Sequence, residues 1–118
     1  MYIRHITGKY GEEIAEEYLR NLGYFILEKN FSCRQGELDI IAVDNNEIVI
    51  TEVKTRTSKK YGEPADAVDY KKKKHIYNAA KYYLYKRNFE DRFVRFDVIE
   101  VFISEKGIKI NHIKKAIL

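Results

Sequence analysis

The 118 residues suffice for one domain, and a 45% hydrophobic content is enough to pack a core. The single cysteine, Cys33, excludes an internal disulfide and a thiolate zinc cluster; no apolar run is long enough for a membrane span, nor for a signal core between Met1 and Lys9, so the expectation is a soluble protein of the reducing cytoplasm. Net charge is +4, but 18 acidic residues accompany 22 basic ones, which excludes a simple polycation. The positive charge gathers between Lys54 and Lys74 (Lys54, Arg56, Lys59, Lys60 and Lys71 to Lys74), which suits either a polyanionic partner or a merely solvated helix face.

No repeat, low-complexity tract or Gly/Ser/Pro linker divides the chain, so residues 1–118 read as one domain with residues 1–8 as an arm and 114–118 as a tail. From Tyr10 to Leu22 the residues Ile14, Ala15, Tyr18, Leu19 and Leu22 recur at helical spacing, and Gly23 is a natural stop. Tyr24 to Phe31, Glu37 to Asp44 and Glu47 to Lys54 are β-rich, the last two joined by Asn45-Asn46, a pair that tolerates hairpin turn conformations. The only proline, Pro64, lies in a loop from Thr55 to Ala65. Ala67 to Arg87 carries Val68, Ile76, Ala79, Ala80, Tyr83 and Leu84 on one stripe and predicts a second helix. Phe93 to Ile103 reads as a strand and Gly107 to Ile113 as an edge strand. Two helices that each bury one stripe need a sheet between them, which predicts an α/β three-layer sandwich with a mixed sheet in the order α-β-β-β-α-β-β.

A tight Asn45-Asn46 turn pairs Asp44 with Glu47, and counting back along both strands sets Asp39 opposite Glu52 and Glu37 opposite Lys54. Ile41, Ile50, Val43 and Ile48 share that face, while Leu38, Val53, Ile40, Thr51, Ala42 and Val49 take the other. Two opposed carboxylates on a partly buried face repel each other and lose hydration, a conflict that a divalent cation would resolve. Magnesium or manganese is commonly held by one or two carboxylates, with water and phosphate oxygens completing the shell. Lys54, two residues along the same face, suits the task of orienting an attacking water and stabilising charge on a phosphate. A salt-bridged, solvated strand end explains the same four residues, and the spacing alone leaves both readings open.

The run Gly36-Glu37-Leu38-Asp39-Ile40-Ile41-Ala42, a short turn, and Val49-Ile50-Thr51-Glu52-Val53-Lys54-Thr55-Arg56 together resemble the PD-(D/E)XK nuclease signature, specifically its YraN-like branch of predicted endonucleases. The resemblance extends from Gly8 to about Phe102 and includes Gly11-Glu12 with Ala15, Gly23-Tyr24, Asn30, Arg34, Val68 with Lys72, and Arg95-Phe96-Asp97-Val98-Ile99. Archaeal Holliday junction resolvases are similar more distantly. The resemblance implies a restriction-endonuclease-like fold, catalytic Asp39, Glu52 and Lys54 with Glu12 as an auxiliary acid, and a metal set of Asp39, Glu52, Val53 and Glu12. Leu38 stands where the wider superfamily has its eponymous proline, a substitution ordinary in this branch.

At 100° per residue Glu12 lies at the margin of the helix-one stripe, Glu16 slightly farther out, and Glu13 and Glu17 point away, so Glu12 can reach inward; a first-turn acid favourable to the helix dipole is the competing explanation. In helix two Lys72 falls within the stripe while Lys71 and Lys74 face solvent. Its ammonium then needs an anion, either a DNA phosphate or the acidic site, unless it snorkels to water. Arg34, Arg56, Lys59, Lys60 and Lys73 are further candidate phosphate contacts, and Glu37 is a candidate restraint on Lys54. The three histidines, His5, His75 and His112, show no ligand spacing. The tyrosines read as core or interface, with Tyr61 the best candidate for base stacking, and Asp97 reads as structural. The resulting expectation is a Mg²⁺- or Mn²⁺-dependent endonuclease on DNA, with branched DNA among the candidate substrates and a two-fold dimer as the natural arrangement for cutting two strands. A non-catalytic nucleic-acid or protein-binding module on the same fold, and a structural homo-oligomer, are the alternatives.

Overall fold

The computed structural model describes residues 2–57 and 70–116, with side chains described from Gly8 onward. Its elements are α1 (Tyr2–Asn21), β1 (Phe25–Cys33), β2 (Gly36–Asp44), β3 (Glu47–Thr57), α2 (Tyr70–Lys86), β4 (Phe93–Ser104) and β5 (Gly107–Ile113). The strands form one sheet in the order β1-β2-β3-β4-β5, antiparallel throughout except for the β3–β4 pair. A parallel pair needs a crossover connection, and α2 lies within it. Among the described residues no helix is long and apolar enough to cross a membrane.

One core lies between the sheet and α2 (Leu38, Ile41, Ile48, Ile50 and Val98 against Ile76, Ala79, Ala80 and Tyr83), and a second lies between the sheet and α1 (Ile40, Ala42, Val49, Ile99 and Val101 against Ala15 and Leu19). The α/β sandwich and its element order are therefore as the periodicities predict. The first helix differs in starting at Tyr2, well ahead of Tyr10, and Leu22 falls just past its end, half exposed. There Gly23, at φ 94°, donates its N–H to the Arg20 carbonyl while Tyr24 donates to that of Leu19, which closes the helix with a left-handed cap. Asn88, at φ 59°, ends α2 in the same way, its N–H going to Tyr85 and that of Phe89 to Leu84. Val68, Pro64 and Tyr61 lie outside the described residues.

The hairpin register is the predicted one from Asp44↔Glu47 through Val43↔Ile48, Ala42↔Val49 and Ile41↔Ile50 to Ile40↔Thr51. There it stops, and the expected pairs Asp39 with Glu52 and Glu37 with Lys54 are not part of the ladder. Leu38 corrects the expected alternation: it packs with Ile41 on the α2 side instead of with Ile40 on the α1 side. The cause lies in β1, where Lys29 pairs with Ile40 and Phe31 with Leu38, which brackets Asn30 and Asp39. Asn30 is in the left-handed region at φ 53°, a conformation an L-residue other than Asn or Asp seldom adopts, and both strands change face across it.

The turn end of the hairpin is held by buried charge. Arg95 of β4 makes a bidentate pair with fully buried Asp97 (2.9 and 3.0 Å) and reaches Asp44 (3.0 Å), Glu47 (3.1 Å) and the Tyr24 hydroxyl (2.8 Å). Asp97 also accepts the Lys115 N–H (3.2 Å) and lies 2.7 Å from His112 Nε2, whose Nδ1 lies 3.0 Å from the Tyr18 hydroxyl. Burial opposes the Asp97 charge, but hydrogen bonds from His112 and Arg95 win and hold its carboxyl down at about 2. This cluster joins α1, the hairpin, β4, β5 and the C-terminal segment, so Asp97 is structural. Asp97→Ala strands the Arg95 guanidinium in the core and should cost about 3–5 kcal/mol in urea unfolding. Because the folded pKa lies below the unfolded one near 3.8, the Asp97 contribution is fully present above about pH 4 and is lost as pH falls towards 2; acid titration of the unfolding midpoint should show that loss in wild type and not in the variant.

Candidate metal centre at the splayed end of the hairpin

Where β2 and β3 part, Asp39 turns into the gap and its Oδ2 accepts the Val53 N–H at 2.8 Å. Glu52, the last β3 residue before that amide, is buried and lies close enough to Asp39 for the two carboxylates to act on each other. Burial first, and then the Glu52 charge, push the Asp39 carboxyl up to about 7; the Val53 N–H works against them. A cleft of about 350 Å³ opens here, lined by Gly36, Glu37, Asp39 and Glu52 from the sheet and by Lys72, His75 and Ile76 from α2.

Glu12 approaches from α1. Gly11 allows it, since a Cβ at Gly11 would overlap the Thr55 side chain of β3. Burial raises the Glu12 pKa, Lys29 and a hydrogen bond from Asn30 oppose that rise, and Glu52 and Glu37 lie close enough to add to it. Glu13 and Glu17 are exposed, and Glu16 is engaged by Arg20 (2.8 Å) and Lys29 (2.7 Å), so of the four acids on this stretch Glu12 is the one turned to the site. Among the described residues no three His, Cys, Asp or Glu side chains converge closely enough to hold a metal ion together. The site is a close pair, Asp39 and Glu52, with Glu12 standing off.

Lys72 lies with its Nζ 3.0 Å from Glu52 Oε2, the acidic partner that its place on the helix stripe called for. Lys54 pairs in register with Glu100 of β4 and lies within electrostatic reach of it, so Glu100 is one acidic neighbour; the β2–β3 ladder does not extend to set Glu37 opposite Lys54. Arg56 is drawn to the same carboxylate at 3.1 Å with only 12% of its side chain exposed, which leaves little of it for a phosphate. Arg34 is exposed on the β1–β2 turn, and Lys73 is half-buried on α2. Lys59 and Lys60 lie outside the described residues. Asn30 is given no role by spacing, although the family resemblance includes it: its backbone makes the kink and its side chain acts on Glu12, and a lone Asn within a β-rich run was the local sign of it.

Fold and cleft together define a two-helix α/β sandwich with an acidic centre at the open end of its central hairpin. The chain belongs to the family described as uncharacterised protein family UPF0102, whose profile matches residues 11–101. It is 47% identical over 113 residues to a UPF0102 protein of Caldanaerobacter subterraneus subsp. tengcongensis, covering 93% of each chain. A UPF0102 protein of Persephonella marina is 50% identical over 111 residues (94% of this chain, 92% of the relative), and one of Clostridium botulinum strain Kyoto is 49% identical over 104 residues (87% and 85%).

The raised Asp39 pKa makes a stability prediction. A carboxyl whose folded pKa exceeds its unfolded value near 3.8 favours the fold when protonated, and that favour is lost as pH rises through about 4 to 7. Without divalent metal, wild type should therefore lose thermal stability across that window. Asp39→Asn, which keeps an acceptor for Val53 N–H, should flatten the loss and melt several degrees higher at pH 7.5. A scanning-calorimetry pH series checks this, and an unchanged slope in the variant counts against the paired burial.

Proposed function

We propose that this protein is a divalent-metal-dependent endonuclease of the PD-(D/E)XK type that hydrolyses DNA phosphodiesters. The observation that carries the reading is the close carboxylate pair, half-buried Asp39 and buried Glu52, at a strand end that opens on a cleft. Two carboxylates forced together in a half-dry site disfavour their own ionisation, and a hard cation with oxygen ligands is the partner that removes the conflict. Asp39 and Glu52 would hold Mg²⁺ or Mn²⁺, Val53 holds Asp39 in place through its N–H, and Glu12, within electrostatic reach of Glu52, would serve as an auxiliary acid to a water on the metal. When bound, the metal would polarise phosphate and water together.

The residues of the chain supply the rest. Lys54 follows Glu52 by two on the same strand face, which supports a role in orienting the attacking water and in stabilising charge on the phosphate oxygens. Water oxygen bonds to phosphorus as the bond to the leaving ester oxygen breaks; the attacking water gives up a proton to solvent and the leaving oxygen takes one from solvent to become a hydroxyl. Lys72 lines the cleft and suits a sequence-independent phosphate contact, with Arg34, Lys73, Lys59 and Lys60 as further candidates. Duplex cleavage on both strands suits a two-fold dimer.

One observation favours a second reading, a nucleic-acid-binding module without turnover: Lys72 already supplies Glu52 with a cation. Labelled duplex, single-stranded and four-way DNA incubated with and without Mg²⁺ or Mn²⁺ separates the two. The nuclease reading expects metal-dependent cleavage that Asp39→Ala reduces by roughly 10²-fold or more. Salt-sensitive binding without cleavage, undiminished in that variant, would establish the binding module instead.

A further inference from the structure

We propose that Lys72 is a built-in counter-ion at the carboxylate pair, which exchanges with the divalent metal so that metal entry releases its ammonium towards the cleft mouth. The inference rests on the proposed metal site and concerns how that site is occupied before metal and substrate arrive. Lys72 Nζ is 3.0 Å from Glu52 Oε2, and the two side chains are 54% and 9% exposed respectively. Glu52 is fixed in β3, whereas Lys72 is carried on a long flexible stem at the cleft rim, so Lys72 is the member that can leave.

Its place on the helix adds a reason to leave. Lys72 is in the first described turn of α2, where no described residue is acidic, and cations are disfavoured at the start of a helix. Lys71, Lys73 and Lys74 crowd the same turn with like charge. Glu52 is an anion that draws the ammonium inward, and a divalent cation on Glu52 would both neutralise that attraction and repel Lys72. Once released, Lys72 stands beside the cleft where a substrate phosphate would approach the metal, so the same positive charge serves first the empty site and then the substrate.

Calorimetric titration of Mn²⁺ into the full chain at low salt tests the exchange, with wild type, Lys72→Gln, Lys72→Arg and Lys71→Gln compared. Removing the internal competitor should tighten Mn²⁺ binding in Lys72→Gln by about three- to fivefold, the scale of a partly exposed ion pair. Lys72→Arg should stay near wild type, and Lys71→Gln, which removes the same net charge from the same turn, should change affinity by less than about twofold, because only contact with Glu52 competes. Binding in Lys72→Gln that is equal to or weaker than wild type, or an equal gain in Lys71→Gln, overturns the exchange while leaving the metal site standing. No Mn²⁺ binding by wild type overturns the metal site itself, and the exchange with it.

Discussion

The hydrogen bond from the Val53 N–H to Asp39 Oδ2 is where a regular hairpin becomes a site. A backbone donor in the middle of a sheet must find an acceptor, and here it is a side-chain carboxylate. That single substitution of partner draws Asp39 into the gap between β2 and β3 and brings it against Glu52. It also leaves the carboxylates facing a cleft instead of a closed ladder. Asn30 makes the arrangement sterically attainable, since its left-handed backbone bends β1 alongside Asp39 and returns Leu38 to the α2-side core.

The opposite end of the same hairpin has the complementary design. Arg95 binds Asp44 and Glu47 on either side of the turn and is itself held by Asp97, so the turn end is clamped by fully partnered charge. Charges at the clamped end are of opposite sign and their partners are present within the fold. Charges at the splayed end are of like sign, relieved in part by Lys72. Ionised Asp97 stabilises the fold and ionised Asp39 strains it: burial opposes both charges, and the His112 and Arg95 hydrogen bonds outweigh it at Asp97 whereas the Glu52 charge adds to it at Asp39. A strained pair maintained on a rigid sheet is a common mark of a site that acts on something else.

The hairpin register, the two helix faces and the inward turn of Glu12 and Lys72 were legible in the sequence because each follows from local periodicity or from a two-residue turn. The parting of the strands was not: it depends on Asn30 adopting a left-handed conformation, and β-alternation has no term for that. Leu38 was assigned to the wrong face for the same reason. The Arg95 cluster was equally hidden, because its members come from α1, the hairpin, β4, β5 and the C-terminal segment and meet only after the parallel crossover forms. Lys54 was rightly placed on the Glu52 strand face, but one acidic neighbour, Glu100, arrives through the β3–β4 pairing, which the hairpin count could not reach.

The central claim is that Asp39 and Glu52 together bind a divalent cation. Anomalous diffraction from crystals grown with Mn²⁺ tests it most directly. The account predicts one strong anomalous peak within coordination distance of both carboxylates, with Lys72 Nζ withdrawn from Glu52. A peak elsewhere, or none beside the pair while Lys72 stays on Glu52, would contradict it.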